Sequence, residues 1–173
     1  MNNFERMREK EKKLSFEKAK EMFDYNPDTG LLFRKTGSKY INHIHINSFV
    51  GWKTPNGYMR VSVNNFNYNV HRLIWLLMTG KWPEHQIDHI NGIRNDNRFC
   101  NLREATNSQN SANSSRRLNF AGYRGVYKDH KKWRAQIRFN NKTISLGTYE
   151  TPEEAHAAYV AKAKELFGDY AKV

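Results

Sequence analysis

A polar and basic stretch, NSSRRLNFAG at residues 113–122, most constrains the fold because it divides the chain into two segments. Apolar residues become sparse there, and small polar and basic residues replace them, as is typical of a linker. The chain has 173 residues, enough for two small domains with modest cores. We therefore expect a helical segment, a first domain, a linker and a second domain at residues 1–24, 25–113, 114–120 and 121–173.

Several protein classes are excluded by simple features of the chain. Hydrophobic residues make up 38% of the chain and aromatics 13%, too many for a wholly disordered chain. There is no run of eighteen apolar residues, and the charged N-terminus has no apolar segment behind it, so we expect neither a membrane span nor a signal peptide. The single cysteine, Cys100, forbids an intrachain disulfide and any zinc site built on cysteine pairs.

The first segment mixes helical and strand patterns. Residues 4–23 carry apolar side chains at a spacing that predicts one amphipathic helix, ending at the turn YNPDTG. LLFRK at 31–35 predicts a short strand. Alternation over residues 58–63 and 66–70 predicts a hairpin with Asn64 and Asn65 in its turn. HRLIWLLMTG at 71–80 predicts a buried helix, and His71 at its start favours a structural role.

The second segment has a simpler pattern of three strands and one helix. YRGVYK, KWRAQIRFN and KTISLGTY predict short strands, and TPEEAHAAYVAKAKELFG predicts a helix. The helix signal is strong, because Thr151 suits the N-cap, Pro152 the first helical position and Gly168 the residue after the end.

The stretch QIDHINGIRNDNRFCNLREATNSQN, residues 86–110, carries the chemistry. Hydrolysis of a phosphodiester needs a base for water and a hard divalent cation near the phosphate. The Asp88 carboxylate can bind such a cation, and His89, on the other side of an extended strand, can act on water. The amide oxygen of Asn110 is a second candidate ligand.

This ordered set resembles the HNH endonucleases, in particular the phage and intron-encoded homing type, over about residues 25–113. The resemblance implies a two-stranded ribbon and a helix around one divalent cation, Mg²⁺ by default with Mn²⁺ possible. It implies that Asp88 and Asn110 bind the metal, that His89 is the general base, and that Asn101 braces the loop and orients the histidine. Many members have His where this chain has Asn110, and the CxxC zinc pairs of other members are absent.

Structural explanations remain open for single residues of this stretch. Asp-His pairs and Asn-rich turns are common, and Asn95, Asp96 and Asn97 are expected to close the loop by hydrogen bonds to the backbone. The arginines are either phosphate contacts or solvated charges; they are Arg94, Arg98 and Arg103.

The net charge of +12 favours a polyanionic partner, and its distribution is uneven. Residues 116–149 hold nine basic groups and one acid, for a net of +8, whereas residues 70–115 hold a net of +1. We therefore expect the second segment to supply the affinity for nucleic acid.

The second predicted strand of that segment has one polar and one apolar face. The helix is expected to cover the apolar face, and the opposite face of the sheet is expected to contact DNA, where Arg pairs with guanine and Gln with adenine. The residues of that opposite face are Arg124, Lys128, Arg134, Gln136, Arg138 and Thr143. The order YRGVY, WRAQIRF, LGTY and TPEEAHAAY resembles the ethylene-response-factor (Apetala-two) DNA-binding domain over residues 120–171. The resemblance implies that the sheet contacts DNA and adds Tyr127 and Ser145 to the matching positions.

These expectations combine into an α+β protein: a ββα-metal HNH core with an N-terminal helix and a β-hairpin, then a three-stranded antiparallel sheet on one helix. We expect a metal-dependent homing-type endonuclease that binds double-stranded DNA as a monomer, has no membrane partner, and acts in the cytoplasm, that of a bacterial host if a phage encodes it. The alternatives are a non-catalytic DNA-binding transcriptional regulator with a relic HNH region, and an RNA-binding protein.

Overall fold

The structure is a computed structural model that describes residues 3–35, 49–114 and 122–172. The chain divides into two compact units, Met1–Glu104 and Ala105–Val173, which are treated separately below. Residues 115–120 of the predicted linker lie outside the described residues. The predicted domain boundaries stay a prediction. None of the helices in the described ranges is long and apolar enough to cross a bilayer.

The first unit begins with two helices where the sequence predicted one. Helix α1 spans Asn3–Glu11 and α2 spans Phe16–Met22. The single helix is wrong because Ser15 adopts an extended conformation, and its side chain caps α2 by accepting a hydrogen bond from the Lys18 N–H at 3.3 Å. This break lets Leu14, which is 1% exposed, enter the core.

A hairpin that the sequence predicted only in part follows α2. Strands β1 (Phe23–Asn26) and β2 (Leu31–Arg34) pair antiparallel, whereas only the second of them was predicted. The Asn26 side chain accepts hydrogen bonds from the N–H groups of Asp28 and Thr29 and so forms the turn. Gly30, at φ +73°, ends the turn against the loop at Asn97; a Cβ there would lie 2.6 Å from the Arg98 nitrogen.

The next elements form the main core of the first unit. Strands β3 (Trp52–Lys53), β4 (Met59–Val63) and β5 (Phe66–Asn69) make an antiparallel sheet. The predicted hairpin is confirmed, with Asn64 and Asn65 both at positive φ, as a type I′ turn requires. Helix α3 (Val70–Thr79) is also confirmed, and it ends at Gly80 in the left-handed region.

The segment after α3 contains two short strands and a helix. Strand β6 (Gln86–His89) pairs with β7 (Leu102–Ala105), and a 3₁₀ turn at Phe99–Asn101 leads into β7. Helix α4 (Asn107–Asn113) follows and is capped by Thr106. The order strand, strand, helix agrees with the predicted α+β class. The assignment as a ββα-metal core stays a prediction.

The second unit continues from α4 with a three-stranded sheet and one helix. Strands β8 (Val126–Asp129), β9 (Lys132–Phe139) and β10 (Lys142–Tyr149) are antiparallel in the order β10-β9-β8. Helix α5 (Pro152–Phe167) starts at Thr151 with a capping box in which Glu154 takes part, so the predicted N-terminus is confirmed. Ala135 and Ile137 are buried beneath Ala155 and Tyr159 of α5, which leaves the other sheet face uncovered by this helix.

Candidate functional site

Asp88 and His89 lie at the end of β6, and each is 4% exposed. Ile87 before them belongs to the core, so the strand enters from the interior and delivers two adjacent polar side chains to opposite sides. A buried carboxylate beside a buried imidazole needs polar partners, because an unpaired buried polar group costs free energy. Both side chains have such partners.

The imidazole of His89 is held by Asn97. The Nε2 atom of His89 lies 3.1 Å from the Oδ1 atom of Asn97. The rings of His71 and Tyr58 pack beside it, with centroids at 5.2 Å and 6.0 Å. Burial lowers the pKa of His89, an effect that the hydrogen bond to Asn97 and the charge of Asp88 partly offset. The ring is therefore neutral at neutral pH, as a general base must be.

The sequence missed this role of Asn97. It assigned Asn97 to loop closure together with Asn95 and Asp96, and only the backbone carbonyl of Asn97 serves that purpose by accepting a hydrogen bond from the Tyr25 hydroxyl at 2.9 Å. The same hydroxyl accepts one from the Phe99 N–H. Burial raises the pKa of Tyr25 to about 12, so it remains a donor. Nothing in the sequence of residues 95–97 indicates which side-chain amide forms the hydrogen bond with the His89 ring.

Asn101 lies in the 3₁₀ turn and braces the loop that follows His89. Its Oδ1 accepts the Asn91 N–H at 2.9 Å, and its Nδ2 donates to the Asp96 carbonyl at 2.8 Å and to the Asn91 side chain at 3.0 Å. Its backbone carbonyl accepts the Ile90 N–H. Asn101 thus contacts both ends of the loop of residues 91–96, which directly precedes Asn97. Its catalytic role stays a prediction.

The carboxylate of Asp88 has a half-buried cationic partner. Arg103, on β7, donates from Nε to the Oδ2 atom of Asp88 at 3.0 Å, and the two side chains are 16% and 5% exposed. The sequence left Arg103 open between a phosphate contact and a solvated charge. The structure favours a third role, in which Arg103 neutralises the carboxylate that was predicted to bind a metal ion.

The other two arginines of this stretch also have partners. Arg94 donates to the Asn56 carbonyl at 2.8 Å, and its guanidinium lies 5.1 Å from the centre of the Tyr58 ring. Arg98 makes two hydrogen bonds to Asp96, and this guanidinium holds the pKa of Asp96 at about 2. Asp96 is therefore ionised and helps to order the loop.

His71 is a neighbour of the candidate base. It lies in the first turn of α3, is 5% exposed, and its ring meets that of His89 edge to face. Burial, with His89 and Arg72 nearby, lowers the pKa of His71 well below its ordinary value. A structural role was predicted from its position at a helix start, and nothing in its own segment pointed to His89.

Asn110 lies in α4, in the second unit. It is half-buried, and its N–H donates to the Thr106 carbonyl. Its role as a metal ligand stays a prediction that rests on its place in the sequence. Within residues 3–35, 49–114 and 122–172, no group of three or more His, Cys, Asp or Glu side chains could hold a metal ion.

All of the predicted DNA-contacting residues except Lys128 lie on or beside the uncovered face of the second unit's sheet. Thr143 pairs with Arg138, Ser145 with Gln136, and Tyr127 with Arg134. Cross-strand partners share a face, so these six side chains point the same way. Lys128 pairs with Trp133 and therefore lies on the opposite face, with its Nζ atom 5.8 Å from the centre of the Trp133 ring. Arg124 precedes β8 and donates hydrogen bonds to backbone carbonyls.

A cleft of about 570 Å³ in the second unit is lined by residues of α4, of α5, of the segment before β8 and of all three strands of the sheet. Its walls are largely polar, with Asn107, Ser108 and Ser111 on the helix side. The sheet side includes five of the predicted residues, namely Arg124, Tyr127, Gln136, Arg138 and Thr143. Residues of the predicted DNA-binding face therefore also line a cleft beside α4.

Two parts of the chain match the models of two different protein families. Residues 68–112 match a family model described as HNH endonuclease, and residues 121–169 match the AP2 domain model. An HNH-like segment precedes an AP2-like segment. We call these ranges the HNH segment and the AP2 segment, and the resemblance to both families is confirmed.

A relative supports the same assignment. A protein of Acanthamoeba polyphaga mimivirus, described as an uncharacterized HNH endonuclease, is 35% identical over 113 residues, which are 64% of this chain and 59% of that protein. The aligned part thus spans about three fifths of that relative. No solved structure matches the chain. The HNH segment extends past Glu104, so its last helix, α4, packs in the unit that contains the AP2 segment.

Proposed function

We propose that this protein is a metal-dependent DNA endonuclease of the homing type, in which the HNH segment hydrolyses a phosphodiester bond and the AP2 segment binds duplex DNA. The observation that carries the proposal is the buried pair of Asp88 and His89 at the end of β6, with the His89 ring held through Nε2 by Asn97. A histidine with one nitrogen fixed has the geometry of a general base.

His89 would take the proton from the attacking water. Because the Oδ1 atom of Asn97 is an acceptor, Nε2 of His89 carries the ring proton and Nδ1 is the basic nitrogen. The lowered pKa of His89 keeps the ring ready to accept a proton at neutral pH. Asn101 stabilises the loop between residues 91 and 96, and the Asn97 side chain follows directly after that loop.

Asp88 and Asn110 are the residues that would hold the divalent cation. A carboxylate and an amide offer oxygen donors, which fit Mg²⁺ and also Mn²⁺. When bound, such a cation neutralises charge on the scissile phosphate and on the departing 3′ oxygen. Arg103 occupies one oxygen of Asp88 and keeps this buried carboxylate compensated.

The experiment is a plasmid cleavage assay with purified full-length chain and Mg²⁺ or Mn²⁺. Wild type is expected to convert supercoiled plasmid to the nicked form, since one site in a monomer cuts one strand. His89→Ala should lose activity by about a hundredfold or more. His85→Ala, which removes an exposed histidine of the same segment, is the matched control and should cleave as wild type does.

Cleavage that survives His89→Ala would remove the assigned base. Sequencing the product ends identifies the target site and tells one-strand from two-strand cleavage. Product ends that carry a 3′ phosphate would contradict a leaving 3′ oxygen.

A second candidate function is a non-catalytic DNA-binding regulator. The observation that favours it is the ion pair of Asp88 and Arg103, because it already compensates the charge of the carboxylate without a metal ion. The regulator predicts tight binding to duplex DNA in EDTA and no nicking with any divalent ion. Competition by duplex RNA at equal strength would instead favour an RNA-binding protein.

A further inference from the structure

The guanidinium of Arg124 contacts the end of helix α4. Its Nη1 donates to the Ala112 carbonyl at 2.6 Å and to the Lys172 carbonyl at 2.9 Å, and its Nη2 donates to the Ser111 carbonyl at 2.6 Å. Two of these acceptors belong to the last turn of α4. Arg124 thus joins α4, the segment before β8 and the backbone at residue 172.

These contacts follow from the electrostatics of a helix C-terminus. The last carbonyls of a helix have no intrahelical donor and carry the negative end of its dipole, so a guanidinium stabilises them. Hydrogen bonds from a charged donor are shorter and stronger than neutral ones. Arg124 is half-buried, so water competes only in part for these bonds.

Further contacts attach α4 to the same unit. Ala112 is 7% exposed and packs in the apolar cluster with Ile137 and Phe167. The Ser108 hydroxyl lies 3.2 Å from the Asn140 side chain and accepts the Asn140 N–H at 3.3 Å. Helix α4 is therefore held near its start by the β9–β10 turn and at its end by Arg124.

Three of the five N–H donors of the Arg124 guanidinium are already in use within the second unit. Both hydrogens of Nη1 and one of Nη2 are engaged. Bidentate pairing with guanine uses a pair of parallel N–H donors, so Arg124 could form it through its two Nη atoms only by releasing carbonyls of α4. Arg138, by contrast, is exposed on β9.

We propose that Arg124 is a positioning residue, which joins the last helix of the HNH segment to the AP2 segment and does not contact DNA. Since α4 carries Asn110, the contact also holds a predicted metal ligand, and this catalytic consequence rests on the proposed function. Through Arg124, the placement of α4 depends on the folded AP2 segment.

Amide hydrogen exchange on the full chain without DNA tests the contact itself. Arg124→Ala should raise the exchange rates of the amides of residues 110–113 by about tenfold, as expected when charge-assisted bonds at a helix end are lost. Arg138→Ala is the matched control and should leave these rates unchanged. Arg124→Lys keeps the charge without the planar fork and should give an intermediate increase. Unchanged protection in Arg124→Ala would overturn the proposal.

The salt dependence of DNA binding separates a positioning role from a phosphate contact. Loss of one phosphate contact reduces the slope of log affinity against log salt by about 0.9. We expect that reduction for Arg138→Ala and an unchanged slope for Arg124→Ala. A reduced slope in Arg124→Ala would place this guanidinium on the DNA and contradict the inference.

Cleavage at saturating DNA tests the consequence for the nuclease. Arg124→Ala should lower kcat and raise the Mg²⁺ concentration needed for half-maximal rate, with little change in the apparent KM for DNA. A rise in KM alone would contradict the proposal. If wild type does not cleave DNA at all, the proposed function fails, while hydrogen exchange and the salt slopes still decide the role of Arg124.

Discussion

At the scale of single residues, the hydrogen bond from His89 to Asn97 determines which ring nitrogen is basic. Asn97→Ala removes the acceptor and lets the ring rotate, so we expect cleavage at saturating DNA to fall by about tenfold to a hundredfold. Asn95→Ala, an exposed neighbour in the same loop, is the control. Equal rates for Asn97→Ala and wild type would exclude Asn97 as the residue that orients the base.

Two buried histidines make the stability of the first unit depend on pH. Burial lowers the pKa of His71 well below its ordinary value, an effect to which the neighbouring His89 and Arg72 add, and burial lowers the pKa of His89 as well. In the unfolded chain both rings take up protons below about pH 6.5, while the folded protein resists protonation. The free energy of unfolding should therefore decrease as pH falls below 6.5, by up to about 1.4 kcal/mol per pH unit for each histidine.

Urea unfolding at several pH values measures this effect. His71→Leu should flatten the dependence between about pH 6.5 and 5, whereas His85→Ala, at an exposed position, should leave it unchanged. An NMR titration of the His71 ring in wild type checks the same point if the variant does not fold. A ring that titrates at its ordinary pKa would refute the explanation.

At the scale of elements, the segment before β8 and helix α5 approach so closely that only glycine fits at residue 125. A Cβ at Gly125 would overlap the Tyr159 ring and lie 2.8 Å from the Gln136 carbonyl, whereas a Cβ at Gly122 would meet nothing within 4 Å. Both glycines have φ of +72°, so their backbone strain is matched. We expect Gly122→Ala to cost about 1 kcal/mol and Gly125→Ala about 2 to 4 kcal/mol. Thermal unfolding measures both, and equal losses would contradict the clash.

At the scale of the whole molecule, charge and candidate chemistry lie in different parts of the chain. Residues 116–149 carry a net charge of +8, whereas residues 70–115 carry +1. Binding of the full chain to duplex DNA in EDTA should therefore weaken steeply between about 50 and 200 mM salt, because each phosphate contact releases counterions. His89→Ala should show the same salt dependence, since it changes no permanent charge. A dissociation constant that is constant over this range would contradict an electrostatic interface.

Local patterns predicted much of the fold and part of the candidate site. The type I′ turn at Asn64 and Asn65, the capping box at Thr151 and the two-faced strand β9 are local features, so the sequence was sufficient for them. The break between α1 and α2 was not predicted, because the advantage of burying Leu14 arises only from the assembled core. Strand β1 was missed for a similar reason, because its extended conformation depends on backbone pairing with β2.

The sequence by itself determined the order of Asp88, His89, Asn101 and Asn110, the alternation of β9 and the concentration of charge, because these depend on neighbours along the chain. Tertiary structure decided the partners. Asn97 forms a hydrogen bond with His89, Arg103 with Asp88, and Arg124 with carbonyls of α4. The physical reason is that a buried polar group takes whichever complementary group the fold brings within about 3 Å, and residues distant along the chain help decide which group that is.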